Sequence, residues 1–278
     1  MTFSIRRLSL TAGLIVVAAG AGANYAYEAP ATEGDDEEGL RLVVNVPANR
    51  LYVYEDGVRT RTYAVSVGLQ GYETPAGSYT IREVIWNPWW HPPQSDWAAG
   101  RKPEPPGESN PMGRVKLNFG PLLYIHGTSA YQSLGAPASR GCVRMRNSDV
   151  IELARLVHEY ASPKVDGETL DMLIDSPSMT RTIRLAKRVK FTAEYNVATV
   201  DDGFLILYPD VYKRMRSKVR DEVEQTLRDS GIDMADVNRD HLERLLEKSS
   251  TTRVAISLED LVAPTPVAAG EAANSRER

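Results

Sequence analysis

One cysteine, Cys142, occurs among 278 residues, together with four histidines. A thiol attacks as its thiolate, so a catalytic cysteine needs a base or a cation, and the base needs an orienting group. Cys142 stands in the turn SRGCVRM, after an apolar run that ends in His126-Gly127-Thr128. Two strand ends joined by such a loop can bring an imidazole to a thiol, which makes His126 the base of choice. The other histidines fit less well: His241 lies in a charged helix pattern, His158 late in the helix pattern after the cysteine, and His91 in a proline-rich stretch. Gly141 permits close backbone approach, and amide N–H groups around Cys142 can donate to a developing oxyanion. Arg140, Arg144 and Arg146 surround the thiol with positive charge, which favours thiolate and attracts a carboxylate-bearing substrate. A lone cysteine also serves as a small buried hydrophobe, and here the neighbours favour the nucleophile. No histidine pair has zinc-ligand spacing and there is no second cysteine, so no metal site, no cofactor and no internal disulfide is expected.

The N-terminus bears on the same thiol. MTFSIRRLSLTAGLIVVAAGAGA has a basic start at Arg6 and Arg7, an apolar run, and Ala21 and Ala23 at signal-peptidase spacing. Residues 1–23 are expected to be a cleavable signal peptide that directs the protein to the periplasm, with membrane contact only before cleavage. The run is short for a membrane span of about 20 apolar residues. An odd thiol outside the cytoplasm is an intermolecular partner or a reactive group.

Lys and Arg total 33 against 37 Asp and Glu, a formal net charge of −4. Removing residues 1–23 takes away Arg6 and Arg7 and no acids, so the mature chain is more acidic still, with no general attraction for nucleic acid. The segment 24–39 reads as an acidic, solvated linker. LRLVVNV and RLYVYE alternate across a turn at Pro47-Ala48-Asn49, and Asp56-Gly57 is a hairpin signal. Residues 40–86 are therefore expected to form a β-meander. Residues 88–111 hold seven of the 17 prolines, so this segment is a long ordered loop. Trp86, Trp89, Trp90 and Trp97, all the tryptophans, lie in or beside it, either pinning the loop to the core or covering a cleft.

PLLYIHG returns to a strand. Asn147 or Ser148 is placed to cap a helix through DVIELARLVHEY that ends at Ser162-Pro163, and ETLDMLID reads as a closing strand. Beyond Pro177, RTIRLAKRVKFTAEYN and GFLILYP are strand-like. One helix is expected to carry Val211, Met215, Val219, Val223 and Leu227, and a second DHLERLLEKS.

YIHGT followed by SRGCVRM resembles the signature of the L,D-transpeptidases, cysteine enzymes with the YkuD catalytic fold. The resemblance extends through ETPAGSYTI, NPWWHPP and NPMGRVKLNFGP, in the family's order. It implies a mainly β, YkuD-like β-sandwich or meander with one packed helix at 40–176. A small α+β C-terminal extension at 177–254 and a disordered tail at 255–278 complete the expected organisation. By resemblance Cys142 is the acyl-accepting nucleophile, His126 its general base, the Gly127 carbonyl the orienter and the Gly141 backbone part of the oxyanion site. Arg144, Ser139 and Arg140 are expected at the substrate, with Trp90 lining it from the proline loop. Many family members have histidine where this chain has Arg140. The implied reaction acts on peptidoglycan stem peptides through a thioester, forming 3→3 cross-links or attaching a wall-linked lipoprotein, and carbapenems acylate the family. A hydrolase on the same scaffold and a non-catalytic wall-binding protein are the alternatives.

Overall fold

The structure is a computed structural model that describes residues 38–107 and 109–262. The expected signal peptide, nearly all of the acidic linker and the end of the tail lie outside those residues.

Three strands open the fold as an antiparallel meander: β1 (Leu40–Asn45), β2 (Arg50–Glu55) and β3 (Val58–Ala64). Leu51 and Val53 of β2 face the core, while Arg50, Tyr52 and Tyr54 between them face outward, the period-two pattern of a strand. Asp56 and Gly57 join β2 to β3 with φ of 48° and 79°, the paired positive values that match strand twist in a two-residue hairpin.

The meander stops at β3. β4 (Gly77–Trp86) does not pair with it; β8 (Arg181–Glu194) lies between β1 and β4, parallel to the first and antiparallel to the second. The cause is visible in β1, where Leu42, Val43 and Val44 are all buried. A strand covered on both faces belongs inside a sheet, and β8 supplies its second neighbour with Val189, Phe191 and Ala193 turned inward. The boundary expected after residue 176 is thereby corrected, because the main sheet continues to Glu194.

β5 (Val115–Gly120), β6 (Leu123–Thr128) and β7 (Val143–Arg146) complete eight strands in the order β3-β2-β1-β8-β4-β5-β6-β7. The two ends of this sheet meet. Ser66, just past β3, exchanges backbone hydrogen bonds of 2.9 and 2.8 Å with Arg144 of β7, and Val67 accepts from Ala138 and Ser139. The sheet thus curls into a closed, two-layered body around a core that includes Leu42, Leu51, Ile81, Leu117, Ile125 and Phe191.

Two helices pack on it, not one. α1 (Asn147–Ala161) buries Val150, Leu153, Ala154 and Val157, the i, i+3, i+4, i+7 stripe of a helix facing a core. Neither Asn147 nor Ser148 caps it: α1 begins at Asn147, and the Asn147 Oδ1 accepts the Arg114 amide at 3.0 Å. ETLDMLID is a helix rather than a strand. In α2 (Gly167–Asp175) the Asp166 carboxylate accepts from the Thr169 amide, and Leu170 and Leu173 share the buried face. That N-cap with a helical apolar spacing outweighs the strand character of a short apolar run.

The C-terminal part has its own core. β9 (Ala198–Asp201), β10 (Phe204–Leu207) and β11 (Val254–Ser257) form a three-stranded antiparallel sheet. Against it lie α3 (Val219–Asp229), α4 (Arg239–Ser249) and α5 (Leu258–Val262), burying Leu205, Leu207, Val223, Leu227, Leu242 and Leu261. The helix expected from Val211 starts only at Val219. Upstream, the Asp210 carboxylate accepts the amides of Arg214, Met215 and Arg216, and Lys213 and Arg216 take positive φ, so the chain turns there. Residues 255–262, expected in the tail, are the end of β11 and α5.

Candidate active site

β6 and β7 run parallel with Ile125 opposite Val143 and His126 opposite Arg144. Side chains alternate along a strand, so continuing this register places Tyr124 and His126 of β6 on one face with Cys142 and Arg144. On the other side of β6, Lys116 of β5 stands opposite His126. One sheet face thus gathers a thiol, an imidazole, two cations and a phenol.

His126 is buried, and its Nδ1 lies 2.7 Å from the Gly127 carbonyl oxygen. A carbonyl only accepts, so Nδ1 carries the proton and the Nε2 lone pair is left free. Burial is the main cause that lowers the His126 pKa to about 4; Arg144 and Lys116 add to this, and the Gly127 bond opposes it. The imidazole is therefore neutral at neutral pH. Gly127 cannot be replaced without movement, because a Cβ there would fall on the Asn147 Oδ1.

Cys142 opens to the cleft on one side and is enclosed on the others. Its Sγ lies 3.5 Å from the Leu122 carbonyl oxygen. Burial pushes the thiol pKa up, against the opposing pull of the Tyr124 amide, Arg144 and Lys116. Arg144 of the arginine-rich turn favours the thiolate, as expected, but desolvation of the charged form exceeds the attraction of its cations. The resting pair is a thiol and a neutral imidazole.

The turn before the thiol is held on both sides. Gly141 has φ +102°, a conformation open to glycine and costly for other residues. Its carbonyl accepts from Thr74 Oγ1 at 3.0 Å. Ser139, fully buried, donates its hydroxyl to the Cys142 carbonyl.

A cleft of about 440 Å³ is lined by Cys142, His126, Arg144, Lys116, Tyr124 and Ser139, and also by Tyr72, Trp89, Trp90, His91, Trp97, Met112 and Arg140. The proline loop is thus one wall of the cleft. Asn110, fully buried, fastens it by donating to the carbonyls of Pro88, Glu104 and Pro105 and accepting the Met112 amide. The tryptophans divide between the two expected tasks. Trp86 is a core pin on β4, donating 3.0 Å to the His158 Nε2, while Trp90 and Trp97 pack together at 6.5 Å on the cleft wall. Arg140 lies 4.3 Å over the Trp97 ring. Arg146 faces away, over Tyr131, and does not line the cleft. His158 and His241 are likewise elsewhere, one in the core and the other by the Asp260 carbonyl.

Sequence reasoning missed Lys116, Thr74 and Tyr124. All three lie inside the quoted motifs, but what brings Lys116 to His126 is the pairing of β5 with β6, which the motif itself does not announce.

Residues 39–171 match the family model of the L,D-transpeptidase catalytic domain, YkuD. The chain is 33% identical over 145 residues to the probable L,D-transpeptidase ErfK/SrfK of Escherichia coli K12, covering 49% of this chain and 44% of that protein. It is 32% identical over 150 residues to the probable L,D-transpeptidase YbiS of the same organism, covering 51% and 46%. The putative L,D-transpeptidase YkuD of Bacillus licheniformis is 33% identical over 129 residues, 46% of this chain and 66% of that one. The chain thus spans about half the length of the Escherichia coli relatives. Among solved structures, L,D-transpeptidase 3 from Mycobacterium tuberculosis with a faropenem-derived adduct aligns with a TM-score of 0.37 at 15% identity, over 56% of this chain and 60% of that one. Residues 39–171 of this chain belong to the L,D-transpeptidase catalytic-domain family, YkuD.

Proposed function

We propose that the protein is a periplasmic cysteine L,D-transpeptidase acting on peptidoglycan stem peptides. The observation that carries the reading is the His126–Gly127 bond, which leaves a neutral Nε2 acceptor on the sheet face that holds the Cys142 thiol.

As the substrate carbonyl approaches, His126 Nε2 takes the thiol proton and Sγ bonds to the carbonyl carbon. The carbonyl π electrons move to oxygen, facing the Gly141 and Cys142 amides. Collapse breaks the C–N bond to the terminal D-amino acid, whose nitrogen takes the proton from His126. An acceptor amine then attacks the thioester and passes a proton to His126, and the departing sulfur recovers it as a thiol. Splitting one amide exchange into two acyl transfers lowers each barrier. Arg144 and Arg140 hold substrate carboxylate, and Trp90 bounds the acyl pocket. The acceptor is a second stem, giving a 3→3 cross-link, or a wall-linked lipoprotein.

The test is to incubate purified protein with tetrapeptide-bearing muropeptides and resolve the products by mass. Dimers that vanish in Cys142→Ala support transpeptidation. Tripeptide alone would identify a hydrolase, and no product with no thioester would leave a wall-binding protein.

A further inference from the structure

The turn that presents Cys142 is held, through Thr74, by a residue far outside the 39–171 match. Thr74, fully buried, donates Oγ1 to the Gly141 carbonyl and accepts the Gly68 amide at 2.8 Å. The Thr74 amide in turn donates to the Tyr212 hydroxyl at 3.0 Å, and that hydroxyl donates to the Gly68 carbonyl at 2.7 Å. One phenol therefore ties both ends of the loop from Gly68 to Thr74.

Tyr212 is itself fixed. It is 6% exposed, its ring stacks on Tyr195 at 5.5 Å, and its amide donates to the Tyr195 hydroxyl at 2.7 Å. The Tyr195 hydroxyl donates to Asp210 at 2.6 Å. Hydrogen bonds thus run unbroken from Asp210 through Tyr195, Tyr212 and Thr74 to Gly141.

Gly141 needs such an anchor. Glycine has wide conformational freedom, so its own sterics do not fix the Gly141–Cys142 peptide. That peptide is a planar trans unit, so pinning the Gly141 carbonyl also sets the direction of the Cys142 N–H, which points opposite. We propose that Tyr212 is a positioning residue for catalysis, acting through Thr74 to aim the Cys142 amide at the developing oxyanion. This rests on the reading of Cys142 as the nucleophile.

Two reagents separate this role from plain stability. Acylation by a carbapenem builds an oxyanion, whereas alkylation by iodoacetamide displaces iodide and builds none. Tyr212→Phe keeps the ring and loses the hydroxyl. Its carbapenem acylation, followed by intact-protein mass, is expected to slow about ten- to a hundredfold, with iodoacetamide alkylation of Cys142 within about twofold of the parent chain. Thr74→Val should show the same split, Thr74→Ser should restore acylation, and the Tyr212→Phe/Thr74→Val pair should lose little more than either alone. Should Tyr212→Phe not fold, Thr74→Val and Thr74→Ser decide the matter. Acylation at the parent rate in both Tyr212→Phe and Thr74→Val overturns the proposal, as does a fall in acylation and alkylation together. A parent chain that takes no adduct at Cys142 overturns the nucleophile reading itself, and this inference with it.

Discussion

Arg144 on β7 stands directly opposite His126 on β6, a fixed cation beside a buried imidazole. The pairing gives the histidine a reason to stay neutral while it gives the sulfur, once ionised, a counter-charge. On the proposed mechanism, a base held this way would take the thiol proton during attack rather than before it.

The acid limb of acylation follows from that arrangement. Burial first, with Arg144 and Lys116, lowers the His126 pKa to about 4. His126 is thus competent as a base above about pH 4 and loses competence as pH falls through it. Carbapenem acylation plotted against pH should show its acid midpoint near 4. A midpoint near the ordinary histidine value of about 6.5 would mean that the resting pair is not the neutral one described.

Removing a cation should move the alkaline side instead. Burial raises the Cys142 pKa, while Arg144 and Lys116 hold it back. In Arg144→Ala or Lys116→Met the thiol should titrate at higher pH than in the parent chain, read from the pH dependence of iodoacetamide alkylation. Arg144→Ala should also lose a charge-assisted contact to the drug carboxylate, about 1.5–3 kcal/mol or roughly ten- to a hundredfold in acylation rate. Unchanged titration in both variants would remove their electrostatic role.

Much of the site is legible in the sequence alone, and the reasons are local. Cys142, His126 and Gly127 sit within short motifs whose turns and strand ends dictate their own geometry. The hairpin at Asp56-Gly57 is equally readable, because two positive φ values demand those residue types. What escapes depends on long-range pairing. β8 reads as a strand from its own residues, but nothing in them says that it parts β1 from β4. Lys116 reaches His126 only through the β5–β6 register. The thiol's charge state escapes for a different reason: the arginines are visible in the sequence, whereas desolvation is a property of the packed molecule.

Stability should carry its own pH dependence through a second histidine. Trp86 donates to the His158 Nε2, so the ring proton is on Nδ1, and burial lowers the His158 pKa to about 4. The native state refuses a proton that an unfolded histidine accepts near pH 6.5, so this contribution is full above about 6.5 and is lost as pH falls toward 4. His126 acts with the same sign. The melting temperature is expected to drop across that window, and less steeply in His158→Gln. A flat profile from pH 7 to 4 would contradict the assignment.

Loosening the cleft wall should be possible at one residue. Asn110→Ala strands the carbonyls of Pro88 and Pro105 and the Met112 amide, while the Glu104 carbonyl keeps the Trp90 amide. Leaving such buried groups unpaired costs about 1–3 kcal/mol each before water enters. Hydrogen exchange in residues 88–113 of the variant should rise selectively while β1 and β8 stay protected, and in the parent chain a bound acyl group should protect this loop further. Uniform exchange across the domain would show that the loop and the core open together.

The central position of β8 bears on how the molecule comes to be. β1 and β4 are paired on one side by β2 and β5, and each lacks its second neighbour until residues 181–194 arrive, so the sheet closes over a long sequence separation, and topologies of that kind fold slowly. Until then two strand edges stand open, each able to recruit another chain. A fragment ending at residue 171 would stay in that condition permanently. The smallest unit able to fold alone therefore reaches at least to Glu194, and cleavage between α2 and β8 should release material that aggregates rather than a working domain.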